Sequence, residues 1–261
     1  MSGQPPAGGA EPGEEQSFLS HLVELRQRLV RAAIAVVVIF LALSPFMRDI
    51  FAILSAPLIS VLPEGTKLIA TGVITPFMVP LKLTLFVAFL LALPYVLYQA
   101  WAFVAPGLYL HERRLAAPII ASSMAMFALG MAYCYYFVFG IVFRFIAGFA
   151  PSSVNVAPDI EAYFSFVLGL FLAFGLTFEV PIVVVLLARF GIADVERLRA
   201  ARPYVIVGAF ILAAIFTPPD VISQLMLAVP LCLLYEVGIQ IARFVGKRAD
   251  PEAAGSATGG G

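Results

Sequence analysis

The sequence predicts an all-α, polytopic membrane protein. Of its 261 residues, 62% are hydrophobic and only 12% are charged, and the mean hydropathy is +1.00. An ordinary soluble domain is about half apolar and roughly a quarter charged, so this chain cannot cover a globular surface with polar groups. The apolar runs are too long for the strands of a membrane barrel, which are segments of about ten alternating residues. Sixteen basic residues balance sixteen acidic ones, which excludes a nucleic-acid partner.

Charged and turn residues divide the chain into six predicted spans. The fifth holds only 14 uncharged residues before a polar turn and reaches about 21 Å at 1.5 Å per residue. Prolines within or beside the spans predict bent helices and therefore a curved bundle. The spans are expected at about 30–47, 80–104, 115–145, 161–188, 203–216 and 221–242.

The basic residues predict the orientation. With both termini in the cytoplasm, 12 of the 16 Lys and Arg fall in inside segments and 4 in outside segments. Residues 1–17 and 246–261 are polar and rich in Gly and are expected to be disordered cytoplasmic tails around a membrane domain over 18–245. The first tail is acidic, so no cleavable signal is expected.

The longest segment between spans is the outer stretch from Arg48 to Pro80. It combines six Pro and Gly residues with apolar side chains. Two alternatives remain open: short helices packed over the outer mouth of the bundle, or an interfacial segment resting on lipid.

Three of the polar residues within the predicted spans are candidates for a role in the membrane. Glu179 is a carboxyl at membrane depth, for which function is the first interpretation and a structural interhelical hydrogen bond the second. Gln224 lies one turn from the outer surface. Glu236 lies near the inner end, where it could extend to the interface or pair with Arg243.

The fifth span ends in the tight turn Thr217-Pro218-Pro219-Asp220. A helix this short thins the bilayer or lets its polar turn lie below the outer surface. The simpler interpretation is a compact hairpin, in which Asp220 caps the sixth helix.

Two segments at the inner surface combine carboxylates, bases and aromatic residues. The first is an amphipathic helix entering span one, with apolar residues at helical spacing and Glu24 placed to pair with Arg28. The second carries the only Trp, and an interfacial aromatic belt explains Trp101 and Phe103 without any function. On physical grounds alone these structural explanations are favoured.

Four segments taken together decide the interpretation: HLVELRQRL, YQAWAFVAPGLYLHERR, FGLTFEVP and RPYVIVGAFILAAIFTPPDVISQ. They closely resemble the TatC family, the polytopic core of the twin-arginine protein translocase, and the resemblance runs from about Phe18 to Val245. It implies a six-helix, concave, glove-shaped bundle in the bacterial inner membrane. It also implies a protein that recognises twin-arginine signal peptides of folded precursors and mediates their transport, driven by the proton gradient.

The resemblance also implies a set of site residues. The two carboxylates of the signal-peptide site correspond to Glu24 and Glu112, with Arg26, Phe103 and His111 nearby. Guanidinium groups are held best by carboxylates, which accept bidentate, charge-assisted hydrogen bonds. Single-span partners of the TatA and TatB kind are expected near Thr217 and Gln224, and self-association is expected in the receptor complex.

Two positions depart from the family pattern. Leu110 stands where many relatives carry Lys, which makes the predicted site less basic, and Gly72 stands where many carry Asp. The second departure argues against a role for an acidic group in the outer loop.

An ion-coupled transporter of a small molecule is the alternative function, since it would also use Glu179. It would require a polar path, and the fourth span offers few other polar side chains. No enzyme, metal or cofactor is expected, because the chain has two histidines, no Gly-x-Ser-x-Gly and no ligand cluster.

Overall fold

The computed structural model describes residues 12–59, 69–104, 113–149, 159–217 and 221–246. Helices account for nearly all of these residues. In chain order they are α1 (Pro12–Leu43), α2 (Met47–Ile59), α3 (Thr75–Val104), α4 (Arg113–Tyr133), α5 (Phe139–Phe149), α6 (Ile160–Arg189), α7 (Val195–Ala200), α8 (Arg202–Phe216) and α9 (Val221–Gly246).

Five stretches of the described chain are long and apolar enough to cross a membrane. Arg202–Phe216 is a sixth, shorter apolar helix, as the sequence predicts for the fifth span. The chain is therefore a helical membrane-spanning protein. The five long stretches are Leu22–Ala56, Thr75–Phe103, Ala117–Phe145, Ile160–Arg189 and Val221–Phe244.

Several helix ends differ from the predicted limits. α1 begins at Pro12, inside the segment predicted as a disordered tail, and proline at the first helical position suits a helix start. A single 3-10 turn (Ser44–Phe46) joins α1 to α2, so the first span continues into the predicted outer stretch. Phe51 of α2 packs on Phe164 with ring centroids 5.9 Å apart, which favours the packed-helix alternative for Met47–Ile59.

The central element is α6, which packs against α3, α4 and α9. Phe164, Leu170 and Phe174 of this helix are fully buried in the main hydrophobic core. Gly238 allows α9 to approach closely, because a Cβ there would lie 2.9 Å from Pro181 Cα of α6. By contrast, α1 packs mainly on α3 and exposes most of its apolar side chains.

α4 and α5 form one continuous span with a π-helical turn at Cys134–Val138 between them. A π turn inserts one extra residue into the hydrogen-bonding pattern and rotates the following side chains. Cys134 and Val138 are buried by this arrangement, whereas Tyr136 and Phe137 are exposed.

Candidate functional site

The first group of predicted site residues lies where α1 begins, which we call the N-terminal end of the bundle. Glu24 accepts hydrogen bonds from Arg28 Nε at 2.9 Å and Nη2 at 2.5 Å. This is the predicted i,i+4 pair. Both bonds go to Glu24 Oε1, and within the described part of the chain no hydrogen bond to Oε2 is formed. Arg26 is exposed on the same helix.

Phe103 lies in the last turn of α3, which packs against α1. Because consecutive membrane spans run in opposite directions, we expect this turn at the same end of the bundle as Glu24. Phe103 is half-buried there. His111 and Glu112 lie outside the described residues, between the end of α3 and the start of α4.

Glu179 is buried in the middle of α6, with 7% of its surface exposed. Among the described residues neither carboxyl oxygen has a partner in hydrogen-bond geometry. The Ser123 hydroxyl of α4 interacts with the carboxyl. Both interpretations of Glu179, a functional carboxyl and a structural contact between helices, stay predictions.

Trp101 belongs to this interior region and not to an interfacial aromatic belt, so that interpretation is wrong. Its exposure is 7%, and its Nε1 donates to Ser123 Oγ at 3.0 Å. Apolar side chains from α3, α4 and α6 surround the ring. The indole can be buried because Ser123 satisfies its N–H. Gln99, two residues earlier, is also buried, and its Oε1 has no partner among the described residues.

Thr217 and Gln224 lie at the opposite end of the bundle, where α8 meets α9. The Thr217 hydroxyl donates to Ala213 O at 2.8 Å, within its own helix. Gln224 Nε2 donates to Phe210 O at 3.2 Å and so links α9 to α8. Pro218 and Asp220 of the intervening turn lie outside the described residues.

Glu236 pairs with Arg202 and not with Arg243. Arg202 Nη2 lies 2.6 Å from Glu236 Oε1, which joins the start of α8 to α9. Arg243 instead lies 3.5 Å from Gln240. The short α8 and its preceding turn bring Arg202 to Glu236 across the hairpin, an arrangement that spacing along one helix does not reveal.

A further polar cluster, which sequence reasoning missed, joins the start of α6 to the start of α3 and the residues just before it, at the opposite end of the bundle. We call it the clasp; its members are Thr71, Thr75, Lys82, Asp159 and Glu161. Asp159 Oδ2 caps α6 by accepting from the N–H groups of Glu161 and Ala162 at 3.1 and 3.0 Å. Asp159 Oδ1 accepts from the N–H and hydroxyl of Thr71 at 3.1 and 2.7 Å.

Glu161 completes the clasp. Its Oε1 lies 2.8 Å from Lys82 Nζ, and its Oε2 accepts from the Thr75 hydroxyl at 3.1 Å. A backbone hydrogen bond from Ile160 to Ile69 lies alongside. The hydrogen bonds from Thr71 and Ala162 lower the pKa of the Asp159 carboxyl below its ordinary value of 3.8.

A local pattern in the sequence could have indicated the acidic members of the clasp. Asp followed by Glu two residues later, directly before an apolar run, is typical of a helix N-terminus. Thr71 lies 88 residues from Asp159 and Lys82 lies 79 residues from Glu161, and no local pattern pairs them.

Titratable side chains are scattered rather than convergent. In the ranges that the structure describes, no three or more His, Cys, Asp or Glu residues come together as a metal site would require. Most of the polar groups instead lie at the two ends of the helical bundle, and the carboxyl of Glu179 is buried between these ends.

This arrangement defines a class: a multi-pass helical membrane protein of the transport type. The family model of the Sec-independent protein translocase protein (TatC) matches residues 20–230. The chain belongs to the TatC family. It is therefore a component of a protein translocase and not an enzyme.

Several relatives are similar over nearly the whole chain. The Sec-independent protein translocase protein TatC of Escherichia coli (strain K12) is 51% identical over 240 residues, covering 92% of this chain and 93% of the relative. The protein of the same name from Azotobacter chroococcum mcd 1 is 50% identical, covering 94% and 96%.

The fold also matches a crystal structure of a "Twin Arginine Translocase Receptor", TatC. The TM-score is 0.75 at 37% identity, and the match covers 86% of this chain and 99% of the solved chain. Membership in this family leaves no role for the alternative of a small-molecule transporter.

Proposed function

We propose that this chain is the signal-peptide-binding core of a twin-arginine protein export translocase in a bacterial inner membrane. In this proposal it has six spans, and the N-terminal end of the bundle and both termini face the cytoplasm. The basic residues support this orientation. Folded precursors bind there and cross with the help of TatA- and TatB-like proteins, driven by the proton gradient.

The observation that carries the proposal is the placement of Glu24. It is a carboxylate on an exposed helix, at the end of the bundle where α3 ends with aromatic residues. Its pair with Arg28 uses one oxygen, so an incoming guanidinium has the other as an acceptor. In our proposal Glu112 receives the second arginine, and Arg26, Phe103 and His111 line the site.

Site-directed photo-crosslinking of a twin-arginine signal peptide tests this site, in membranes that contain all Tat components. We expect Glu24→Ala and Glu112→Ala each to reduce the crosslink about tenfold, since each loses a charge-assisted contact to a guanidinium. Glu196→Ala is the matched control, because Glu196 is an exposed carboxylate at the same end of the bundle. A Lys-Lys precursor should bind wild type poorly, and unchanged crosslinking in the double variant would refute the assignment.

The α8–α9 end is the proposed docking surface for the single-span partners. Much of α8 is exposed, and Gln224 already links the two helices through its amide nitrogen. A polar residue of a partner helix would gain a hydrogen bond there that lipid cannot supply. We expect Gln224→Leu to reduce co-purification of a TatB-like partner, whereas the control Val229→Leu, on an exposed face of the same helix, should not.

A further inference from the structure

A groove opens on the outside of the bundle between α4, α6 and α9. Its volume is about 530 Å³, within the range of small-molecule sites. The walls are aliphatic, with Ile119 and Met126 from α4, Val185 from α6, and Val237 and Ile241 from α9. Ser122 donates its hydroxyl hydrogen to Ile119 O of its own helix, so this hydroxyl needs no acceptor from a molecule bound in the groove.

The groove runs along only one half of the bundle. On α6 it extends over the nine residues from Pro181 to Arg189, a rise of about 12 Å at 1.5 Å per residue. One leaflet of the hydrocarbon core is about 15 Å deep. A partner helix that crosses the membrane would need a groove through both leaflets, whereas an acyl chain needs one of this length.

One end of the groove is basic. Arg189 lines it and is exposed, and Arg243 is exposed two residues beyond Ile241 on α9. A guanidinium pairs with phosphate through parallel hydrogen bonds, and basic pockets between membrane helices suit anionic lipid head groups.

We propose that this groove is a binding site for an anionic phospholipid, with an acyl chain between α4, α6 and α9 and the phosphate at Arg189. The inference goes beyond the proposed function and does not depend on which cargo is carried. With the proposed orientation, the lipid comes from the cytoplasmic leaflet.

Photoactivatable lipids test the site on the full chain in liposomes of phosphatidylcholine. The probes are phosphatidylglycerol and phosphatidylcholine, each with a diazirine on one acyl chain, and labelled residues are mapped by mass spectrometry. We expect phosphatidylglycerol to label the groove several-fold more than phosphatidylcholine. Arg189→Gln should reduce phosphatidylglycerol labelling there by about three- to tenfold. It should reduce phosphatidylcholine labelling less, because that lipid carries a phosphate but no net negative charge. Arg197→Gln, an exposed Arg outside the groove, is the control.

A second pair of variants tests the acyl chain. Val237→Trp places a large ring in the groove and should reduce labelling by both lipids. Val229→Trp is the matched control, because these residues are on the same helix with exposures of 48% and 46%, and Val229 lies outside the groove. The labelling that remains on other lipid-facing surfaces reports that each variant is folded.

Three results would overturn the proposal: equal labelling of the groove by the two lipids, no response to Arg189→Gln, or equal effects of the two Trp variants. A photo-crosslinking amino acid in place of Val237 that captured a second polypeptide in cells, and no lipid, would also overturn it.

Discussion

The carboxyl groups at the start of α6 and the carboxyl further along this helix lie in opposite environments. At the start of the helix, Asp159 and Glu161 use all four carboxylate oxygens in bonds to the first turn of α6, to Thr71 and to α3. Eighteen residues further along, Glu179 is buried and has no partner in hydrogen-bond geometry among the described residues. Pairing at the end stabilises the helix arrangement. The buried carboxyl of Glu179 has only the Ser123 hydroxyl interacting with it, and we therefore predict a functional use for it.

The largest expected effect is on transport by variants of Glu179. Glu179→Leu should reduce transport more than tenfold, whereas Glu179→Gln should retain most of it, because an amide can still hydrogen-bond to an incoming group. Thr177→Val removes another buried polar group from the same helix and serves as the control. Transport of a precursor into membrane vesicles is the measurement, and equal activity of the Leu and Gln variants would contradict this interpretation.

The Glu179→Leu variant also tests whether Glu179 stabilises the fold. Neither oxygen of this buried carboxyl is in hydrogen-bond geometry with a described residue, so the thermal midpoint of the purified Glu179→Leu protein should stay the same or rise. A clear fall in this midpoint would show that Glu179 is structural after all.

The second-largest expected effect is a loss of stability when the clasp is disrupted. Asp159→Ala removes the cap of α6 and the link to Thr71, and the thermal midpoint should fall by several degrees. Signal-peptide crosslinking at the N-terminal end should persist at temperatures where the variant is folded. A fall in crosslinking without any change in the midpoint would show that the clasp acts on the site and not on stability.

A pH dependence follows from the lowered pKa of Asp159. Because the folded-state pKa lies below the ordinary value of 3.8, the stabilisation by this group is fully present above that value and is lost as the pH falls below it. The difference in midpoint between wild type and Asp159→Asn should therefore shrink in acid. A difference that stays constant down to pH 2 would contradict the charge-dependent part of this explanation.

The smallest expected effect concerns the ion pair at the other end of the bundle. Both side chains of the Arg202–Glu236 pair are about 40% exposed, and exposed pairs contribute little. Glu236→Gln should lower the thermal midpoint by about 2 °C or less, well below the effect of Asp159→Ala. A larger loss would mean that this pair, and not the clasp, is the main polar link between the helices.

Local sequence was sufficient for the helices and for some of their contacts. The predicted Glu24–Arg28 pair forms, because i,i+4 geometry is set by the helix itself. The partner of Glu236 and the burial of Trp101 were not predictable, since each depends on a neighbouring helix. The predicted roles of Glu24, Glu112, Thr217 and Gln224 remain predictions.

By itself the sequence determined the class of protein, the short apolar helix, the buried position of Glu179 and the family, because hydropathy and motifs are properties of the chain. Only the tertiary structure decided which polar groups meet. Lys82 reaches Glu161 across 79 positions, Trp101 reaches Ser123, and Glu179 finds no comparable partner. The physical reason is that helix propensity and hydropathy act within a segment, whereas pairing depends on how packed helices bring distant segments together.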